Sequence, residues 1–161
     1  FVEAGGGYMG ICAGAFLAAS NYSWSLGISN HKTFCETIDV PGIGRKSMWF
    51  RGGSAPVTME LTDEGRTILG DFEGVFEVRY QNGPIMSPMD RQGLGNFRSL
   101  AHFRSEVSKY KPQEGTMINT PAVIVGEYGD GRVLCISPHP ESTDALNRLV
   151  QNAVRWTARR R

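Results

Sequence analysis

The feature that most restricts the fold of this chain is the pentapeptide Gly10-Ile11-Cys12-Ala13-Gly14 near its start. A short apolar run, Tyr8 to Ile11, precedes the cysteine, and an alanine-rich run, Ala13 to Ser20, follows it. This order predicts a strand, a sharp turn and a helix. A turn of this kind holds its central residue at strained backbone angles and needs small residues on either side. The pentapeptide therefore favours an α/β fold with the thiol at the edge of a sheet.

The same position is suited to a nucleophile. Unsatisfied N–H groups at the start of the following helix favour thiolate over thiol, so the pKa of Cys12 is expected to be lowered. The N–H of Ala13 would point to the place where an oxyanion develops. The alternative is a small buried cysteine in a Gly/Ala-rich junction, and the pentapeptide alone does not decide between the two.

A second motif, Ser137-Pro138-His139-Pro140-Glu141, follows the apolar strand predicted from Val133 to Ile136. A cysteine nucleophile needs a base, and the base needs an acceptor that orients its other nitrogen. His139 and Glu141 supply these two groups, although His139 lies 127 positions after Cys12 (139 − 12) and only the fold could bring them together. The alternative is a surface loop in which Glu141 caps the final helix.

Together the two motifs resemble class I glutamine amidotransferase-like domains. The resemblance is closest to the N-terminal domain of eukaryotic-type biotin–protein ligases, which also occurs as stand-alone bacterial proteins. It implies that Cys12 is the nucleophile, His139 the base and Glu141 its orienting partner, with Ala13 N–H as an oxyanion donor. The segments that carry it are Gly6 to Ala15, Tyr80 to Pro84, Gly129 to Val133, Ser137 to Glu141 and Asn152 to Trp156.

The resemblance also implies a fold: a three-layer, flavodoxin-like sandwich with a mostly parallel sheet, formed as one domain by residues 1–161. Domains of this family open with a strand, a helix and a further strand whose Gly-Gly loop gives the second oxyanion donor. The strand, turn and helix around Cys12 are called the elbow below, and only Phe1 to Gly7 precede them here. We therefore expect the N-terminal part to be missing, glutamine hydrolysis to be weak or absent, and a homodimer or a second polypeptide to supply the missing part.

Local patterns predict the other elements. A helix is expected after the capping residue Thr62 and before Gly70, and a final amphipathic helix after a capping Thr143. The segment Leu100 to Val107 fits either a strand or a helix. His31, between Asn30 and Lys32, is interpreted as a surface loop residue. Strands are predicted at Lys32 to Val40, Val57 to Leu61, Val75 to Tyr80, Ala122 to Tyr128 and Arg132 to Ser137, with the Val75 strand and the Gly129 hairpin as antiparallel edges.

Composition excludes several classes of function. Seventeen Lys and Arg against sixteen Asp and Glu give a net charge of +1, which indicates neither nucleic acid nor an anionic membrane as a partner. No signal peptide or membrane span is recognisable, which favours the cytoplasm. The three histidines and three cysteines lack metal-ligand spacing, so no metal and no cofactor are expected. Cys35 and Cys135 are expected to be inert core thiols.

The implied activity is a cysteine-dependent hydrolysis of C–N amide bonds in a small-molecule substrate, through a thioester. Two rivals stay open: a binding or regulatory module that keeps the triad without turnover, and a thiol redox sensor centred on Cys12. Asn82 and Gly83 form either a turn or a contact to the ligand.

Overall fold

The computed structural model describes residues 1–48, 54–107 and 115–158, and these ranges contain ten strands and three α-helices. The strands are β1 (Gly7–Ile11), β2 (His31–Thr33), β3 (Glu36–Val40), β4 (Gly44–Met48), β5 (Ser54–Leu61), β6 (Val75–Gln81), β7 (Met86–Pro88), β8 (Arg98–Phe103), β9 (Pro121–Tyr128) and β10 (Gly131–Ile136). The helices are α1 (Ala13–Ala18), α2 (Asp63–Leu69) and α3 (Asn147–Ala158).

The main sheet has six strands in the order β1-β10-β9-β8-β5-β6. Only β1 and β10 run parallel, and the other four pairings in this sheet are antiparallel. The prediction of a mostly parallel sheet is therefore wrong, and the flavodoxin-like arrangement is not confirmed. The hairpin at Gly129-Asp130 was predicted to be antiparallel, and the pairings that were not foreseen are those of β8 with β9 and with β5, both antiparallel.

Helices cover both faces of this mixed sheet. Side chains alternate along a strand, so β10 divides its apolar residues between the two faces. Leu134 and Ile136 join the larger buried cluster, which includes Leu69 of α2 and Leu149 of α3. Val133 and Cys135 join a smaller cluster with Ala15 and Ala18 of α1. The α/β class predicted from the sequence is thus confirmed, with a mixed and curled sheet between the helices.

Two predicted strands differ from those observed. The run from Lys32 to Val40 forms two strands, since β2 pairs with β7 and β3 pairs with β4 in separate two-stranded sheets. The Gly129 hairpin lies inside the main sheet and not at its edge, whereas β6 is an edge strand as predicted. The ambiguous segment from Leu100 is strand β8, which ends at Phe103.

The helix boundaries were predicted with mixed success. Thr62 caps α2 as expected, because its Oγ1 accepts a hydrogen bond of 3.0 Å from the N–H of Gly65. Thr143 makes no capping bond through its side chain. Two 3₁₀ turns, Pro140–Ser142 and Asp144–Leu146, carry the chain into α3, which begins only at Asn147.

Gly65 gives a direct test of how tightly α2 packs on the sheet. A Cβ at this position would lie 1.9 Å from the carbonyl oxygen of Leu100 in β8, so backbone would have to move. Gly65→Ala is expected to lower the free energy of unfolding by roughly 1–3 kcal/mol, although alanine is the better helix former. Gly95→Ala is the matched control, because nothing lies within 4 Å of a Cβ there. Urea denaturation measures both, and equal midpoints for the two variants would contradict the packing.

Candidate functional site

Cys12 stands at the strained turn between β1 and α1. Its backbone angles are φ 50° and ψ −102°, in the left-handed half of conformational space that non-glycine residues rarely adopt. The parallel pairing of β1 continues one residue further, since Cys12 N–H donates to the carbonyl of Ile136 over 2.8 Å. The cysteine is therefore fixed beside the end of β10.

The predicted need for small neighbours is confirmed at Gly10. A Cβ on Gly10 would lie 2.5 Å from the carbonyl carbon of Gly14, on the far side of the turn. At Gly14 itself the nearest atom to an added Cβ is the hydroxyl oxygen of Tyr8, at 3.7 Å, which is ordinary contact. The same hydroxyl donates to the Gly14 carbonyl over 2.8 Å and holds the start of α1 against β1.

His139 and Glu141 lie just beyond the end of β10. The backbone N–H of His139 donates to the carbonyl of Arg79 in β6 over 2.7 Å, which fixes the loop against the opposite edge strand. The ring nitrogen Nδ1 lies 2.5 Å from Oε1 of Glu141, so the expected contact between these two side chains is present. With Nδ1–H donated to the carboxylate, Nε2 carries the lone pair that a general base requires.

The thiol of Cys12 is turned toward β6. It donates to the carbonyl of Gln81 over 3.4 Å, and among the described residues no hydrogen bond joins its sulfur to His139. Burial raises the pKa of Cys12, the N–H of Ala13 lowers it, and the negative charge of Glu141 raises it further. The expected lowering of this pKa is therefore wrong: desolvation of a half-buried sulfur outweighs the one amide that faces it.

The segment from Gln81 to Gly83 closes against the loop that bears His139. Asn82 has a φ of 52°, and a Cβ on Gly83 would lie 2.1 Å from the carbonyl oxygen of Ser137. Glycine at position 83 is thus required by close backbone approach. Ser137 is fully buried, and its Oγ has no hydrogen-bond partner in the described part of the chain. A contact of Asn82 or Gly83 to a ligand stays a prediction.

Gln81 and Ser137 were not identified from the sequence as parts of the site. Both lie inside segments that carry the family resemblance, Tyr80 to Pro84 and Ser137 to Glu141, and their place in those segments was the available signal. Gln81 contributes its backbone carbonyl to the site, and Ser137 contributes a buried residue that packs against Gly83. Neither property can be read from the type of the residue.

His31 is fully buried, which corrects its interpretation as a surface residue. Its Nε2 lies 3.2 Å from the carbonyl oxygen of Ala15 in α1, and its Nδ1 lies 2.9 Å from Oγ of Ser29. Burial lowers its pKa from the ordinary 6.5 to about 4, although the Ala15 carbonyl opposes this shift. A neutral imidazole therefore links the helix that follows Cys12 to the β2 segment.

The other two cysteines differ from each other. Cys135 is fully buried and burial raises its pKa to about 12, which confirms the prediction of an inert core thiol. Cys35 is exposed, so the same prediction is wrong there. Among the described residues, no three His, Cys, Asp or Glu side chains are grouped to hold a metal ion. No helix in the described ranges is long and apolar enough to cross a membrane.

The chain belongs to the biotin–protein ligase N-terminal family, whose model matches residues 1–158. This match confirms the family resemblance found in the motifs. Among curated protein sequences none matches the chain.

Solved structures show the same fold at low sequence identity. A ThuA-like protein from Parabacteroides merdae is 15% identical with a TM-score of 0.59, and the match covers 98% of this chain and 62% of that one. A cytoplasmic protein from Salmonella typhimurium is 14% identical with a TM-score of 0.56, and the match covers 99% of this chain and 58% of that one. A β-galactosidase from Bacillus circulans is 13% identical with a TM-score of 0.55, and the match covers 97% of this chain and 19% of that one. This chain thus spans about three fifths of the first two proteins and about a fifth of the third. The fold is consistent with a glutamine amidotransferase-like domain.

The buried imidazole of His31 makes stability depend on pH. The unfolded chain binds a proton near pH 6.5 and the folded protein only near pH 4, so the free energy of unfolding falls as pH drops through this window. The loss is at most about 3 kcal/mol. Urea unfolding at pH 7, 5.5 and 4.5 is expected to show a shallower decline for His31→Gln than for the wild type. Burial also lowers the pKa of His102, which is only half-buried, so His102→Gln is the comparison and is expected to flatten the decline less than His31→Gln. An equal decline in both variants would contradict the assignment.

Alkylation kinetics test the electrostatics at Cys12. Peptide-resolved labelling with iodoacetamide is expected to give Cys12 a pH midpoint above that of an ordinary exposed thiol, because burial and Glu141 both oppose the thiolate. Glu141→Gln removes the negative charge and is expected to move the midpoint downward. Glu73→Gln, on an exposed loop, leaves it unchanged. A wild-type midpoint below pH 7 would show instead that the helix start activates the thiol.

Proposed function

We propose that this domain is a cysteine-dependent hydrolase of C–N amide bonds, of the glutamine amidotransferase-like type. The observation that carries the proposal is the His139–Glu141 hydrogen bond at the end of β10, beside the strand whose end bears Cys12. Membership of the biotin–protein ligase N-terminal family supports it. In this proposal Cys12 is the nucleophile, His139 the base and Glu141 the group that orients and stabilises the imidazole.

The reaction begins with transfer of the Cys12 thiol proton to Nε2 of His139. The sulfur then attacks the amide carbonyl, and the oxyanion of the tetrahedral intermediate faces the N–H of Ala13. The C–N bond breaks, its electron pair leaves with nitrogen, and His139 returns its proton to the departing amine. Water attacks the resulting thioester with His139 again as base, which releases the acid and restores the thiol.

The resting state sets a condition on the first step. The thiol donates to the Gln81 carbonyl and its pKa is raised, so the sulfur begins as a neutral thiol. Rotation about the Cα–Cβ bond of Cys12 has to turn the sulfur from Gln81 toward His139 when the substrate enters. The proton then moves as the substrate binds, and a base is needed for this transfer at neutral pH.

The same observations favour a second candidate, a binding module that keeps the triad without turnover. A thiol held by a backbone carbonyl and opposed by a nearby carboxylate is a poor nucleophile until the site rearranges. Under this alternative the site binds an amide-bearing small molecule and releases it unchanged. The redox-sensor hypothesis requires Cys12 to form a disulfide with a second cysteine, and the exposed Cys35 is the thiol whose pairing peroxide treatment would test.

The partner remains a proposal as well. In the described sheet β1 is an edge strand, paired on one side by β10. An edge strand offers unpaired N–H and C=O groups to another strand, so we infer association through β1 with a second copy or a second polypeptide. The cytoplasmic location predicted from the sequence stays a prediction.

Ammonia release from primary carboxamides, beginning with glutamine, tests the catalytic proposal. Slow turnover is expected, because the resting thiol is neutral and has to turn away from the Gln81 carbonyl before it attacks. Cys12→Ala is expected to abolish it, and His139→Gln to reduce it at least about 100-fold. Cys35→Ser is the matched control and is expected to keep wild-type activity. Turnover that survives in Cys12→Ala would refute the proposal, and saturable binding of glutamine without ammonia release would favour the binding module.

A further inference from the structure

We propose that Tyr8 and His31 are positioning residues, which hold the first turn of α1 and thereby keep Cys12 in its strained conformation. The two side chains act on consecutive carbonyl groups, those of Gly14 and Ala15, which follow the cysteine by two and three positions. The positioning role is independent of the proposed hydrolysis, and only its effect on turnover rests on that function.

The conformation of Cys12 depends on the start of α1. This helix has only six residues, so it has little stability of its own and needs contacts from outside. A non-glycine residue keeps a φ of 50°, as Cys12 does, only where the surrounding structure enforces it. The cysteine carbonyl accepts from the N–H of Ala15 over 3.0 Å and from that of Phe16 over 3.2 Å. Movement of this first turn would therefore release the backbone of Cys12.

The carbonyl of Ala15 is held by His31. In a regular α-helix it would accept from the N–H of Ala19, but that N–H donates to the next carbonyl along the chain, over 3.2 Å. Nε2 of His31 lies 3.2 Å from the Ala15 oxygen. Because a carbonyl only accepts, Nε2 carries the proton and Nδ1 accepts from the hydroxyl of Ser29 over 2.9 Å. Ala15 thus connects the buried imidazole to the backbone of Cys12.

His31 is itself fixed to the far end of α1. Its own carbonyl accepts from the N–H of Ser20 over 2.9 Å, and the N–H of Ser29 donates to the carbonyl of Ala18 over 3.1 Å. The hydroxyl of Ser20 donates to the carbonyl of Ser29 over 2.8 Å and closes the loop. The imidazole is fully buried with both ring nitrogens bonded, so it has one orientation and presents Nε2 to Ala15.

Tyr8 holds the neighbouring carbonyl from the side of the sheet. It lies in β1 opposite Val133 of β10, and its hydroxyl donates to the carbonyl of Gly14 over 2.8 Å. Its side chain packs against the smaller buried cluster, to which Ala15 and Ala18 of α1 belong. One donor from β1 and one from the segment after α1 therefore hold consecutive peptide groups. Loss of either donor leaves a helix carbonyl without that partner and lets the turn relax.

Relaxation of this turn is expected to affect labelling and turnover in opposite directions. The thiol of Cys12 is half-buried and donates to the carbonyl of Gln81, and both features slow its alkylation. A relaxed turn exposes the thiol and accelerates labelling. In the proposed hydrolysis the same change moves the N–H of Ala13 away from the oxyanion and slows turnover. A general loss of structure would instead expose the fully buried Cys135 as well.

Peptide-resolved labelling of the full chain with iodoacetamide, near neutral pH, tests the proposal. We expect Cys12 to react at least about fivefold faster in His31→Asn and in Tyr8→Phe than in the wild type. The rate at Cys135 is expected to stay unchanged in both variants. Asparagine is too short to reach the carbonyl of Ala15, whereas Tyr8→Phe removes only the hydroxyl and keeps the ring.

Two further variants are controls. His31→Gln is expected to restore the wild-type rate at Cys12, because the amide nitrogen of glutamine can donate to the carbonyl of Ala15 as Nε2 does. Tyr128→Phe is the matched control for Tyr8→Phe, since Tyr128 packs against the same cluster and no hydrogen bond joins its hydroxyl to α1 in the described part of the chain. It is expected to label like the wild type.

Ammonia release from glutamine is the second readout, and it is expected to fall at least about fivefold in His31→Asn and in Tyr8→Phe. If the wild type releases no ammonia, the hydrolase proposal fails and labelling still decides the positioning role. Unchanged labelling of Cys12 in both variants would overturn that role. Equal acceleration at Cys12 and Cys135 would also overturn it, because it would show general unfolding. So would a rate in Tyr128→Phe as high as in Tyr8→Phe.

Discussion

The parallel pairing of β1 with β10 is the interaction on which the candidate site depends. It sets the last residue of β1, Ile11, opposite Ile136, and the next residue, Cys12, continues the ladder through its own N–H. Two motifs separated by more than a hundred positions thereby leave the same end of two adjacent strands. A change of one residue in this register would turn every side chain of the shifted strand to the other face of the sheet and would separate Cys12 from the His139 loop.

The curl of the sheet adds a second constraint. In strand order β6 lies at the opposite edge from β1, yet its carbonyls reach both parts of the site: Arg79 accepts from the N–H of His139 and Gln81 from the thiol of Cys12. A flat sheet of six strands would hold its two edges more than about 20 Å apart, at 4.7–4.9 Å for each step. The twist natural to antiparallel strands is what brings β6 back to the ends of β1 and β10.

The sequence was most informative where local chemistry decides the structure, and least where packing does. The elbow at Cys12, the cap at Thr62 and the hairpin turn at Gly129 follow from residue type and spacing, and all three are present. Strand direction, by contrast, depends on which strands become neighbours, so the mixed sheet was not foreseen. His31 has polar neighbours in sequence and is nevertheless buried, because a serine hydroxyl and a helix carbonyl satisfy its ring in three dimensions. The contact between His139 and Glu141 was predicted, whereas the carbonyl of Gln81 at the thiol was not.

Glu141 acts on both groups beside it, and its two roles bear on how the proposed hydrolysis would proceed. Its negative charge raises the pKa of Cys12, and its carboxylate forms the hydrogen bond to Nδ1 that orients the imidazole of His139. In the proposed hydrolysis, the carboxylate that orients the base therefore also opposes loss of the proton from the sulfur. In the proposed hydrolysis a substrate carbonyl would change this balance, because attack would move the charge from the sulfur to an oxyanion that faces the Ala13 N–H. Burial and Glu141 favour the neutral thiol in the empty site, and in the proposed hydrolysis the charged state would become favourable only as the covalent bond to the substrate forms.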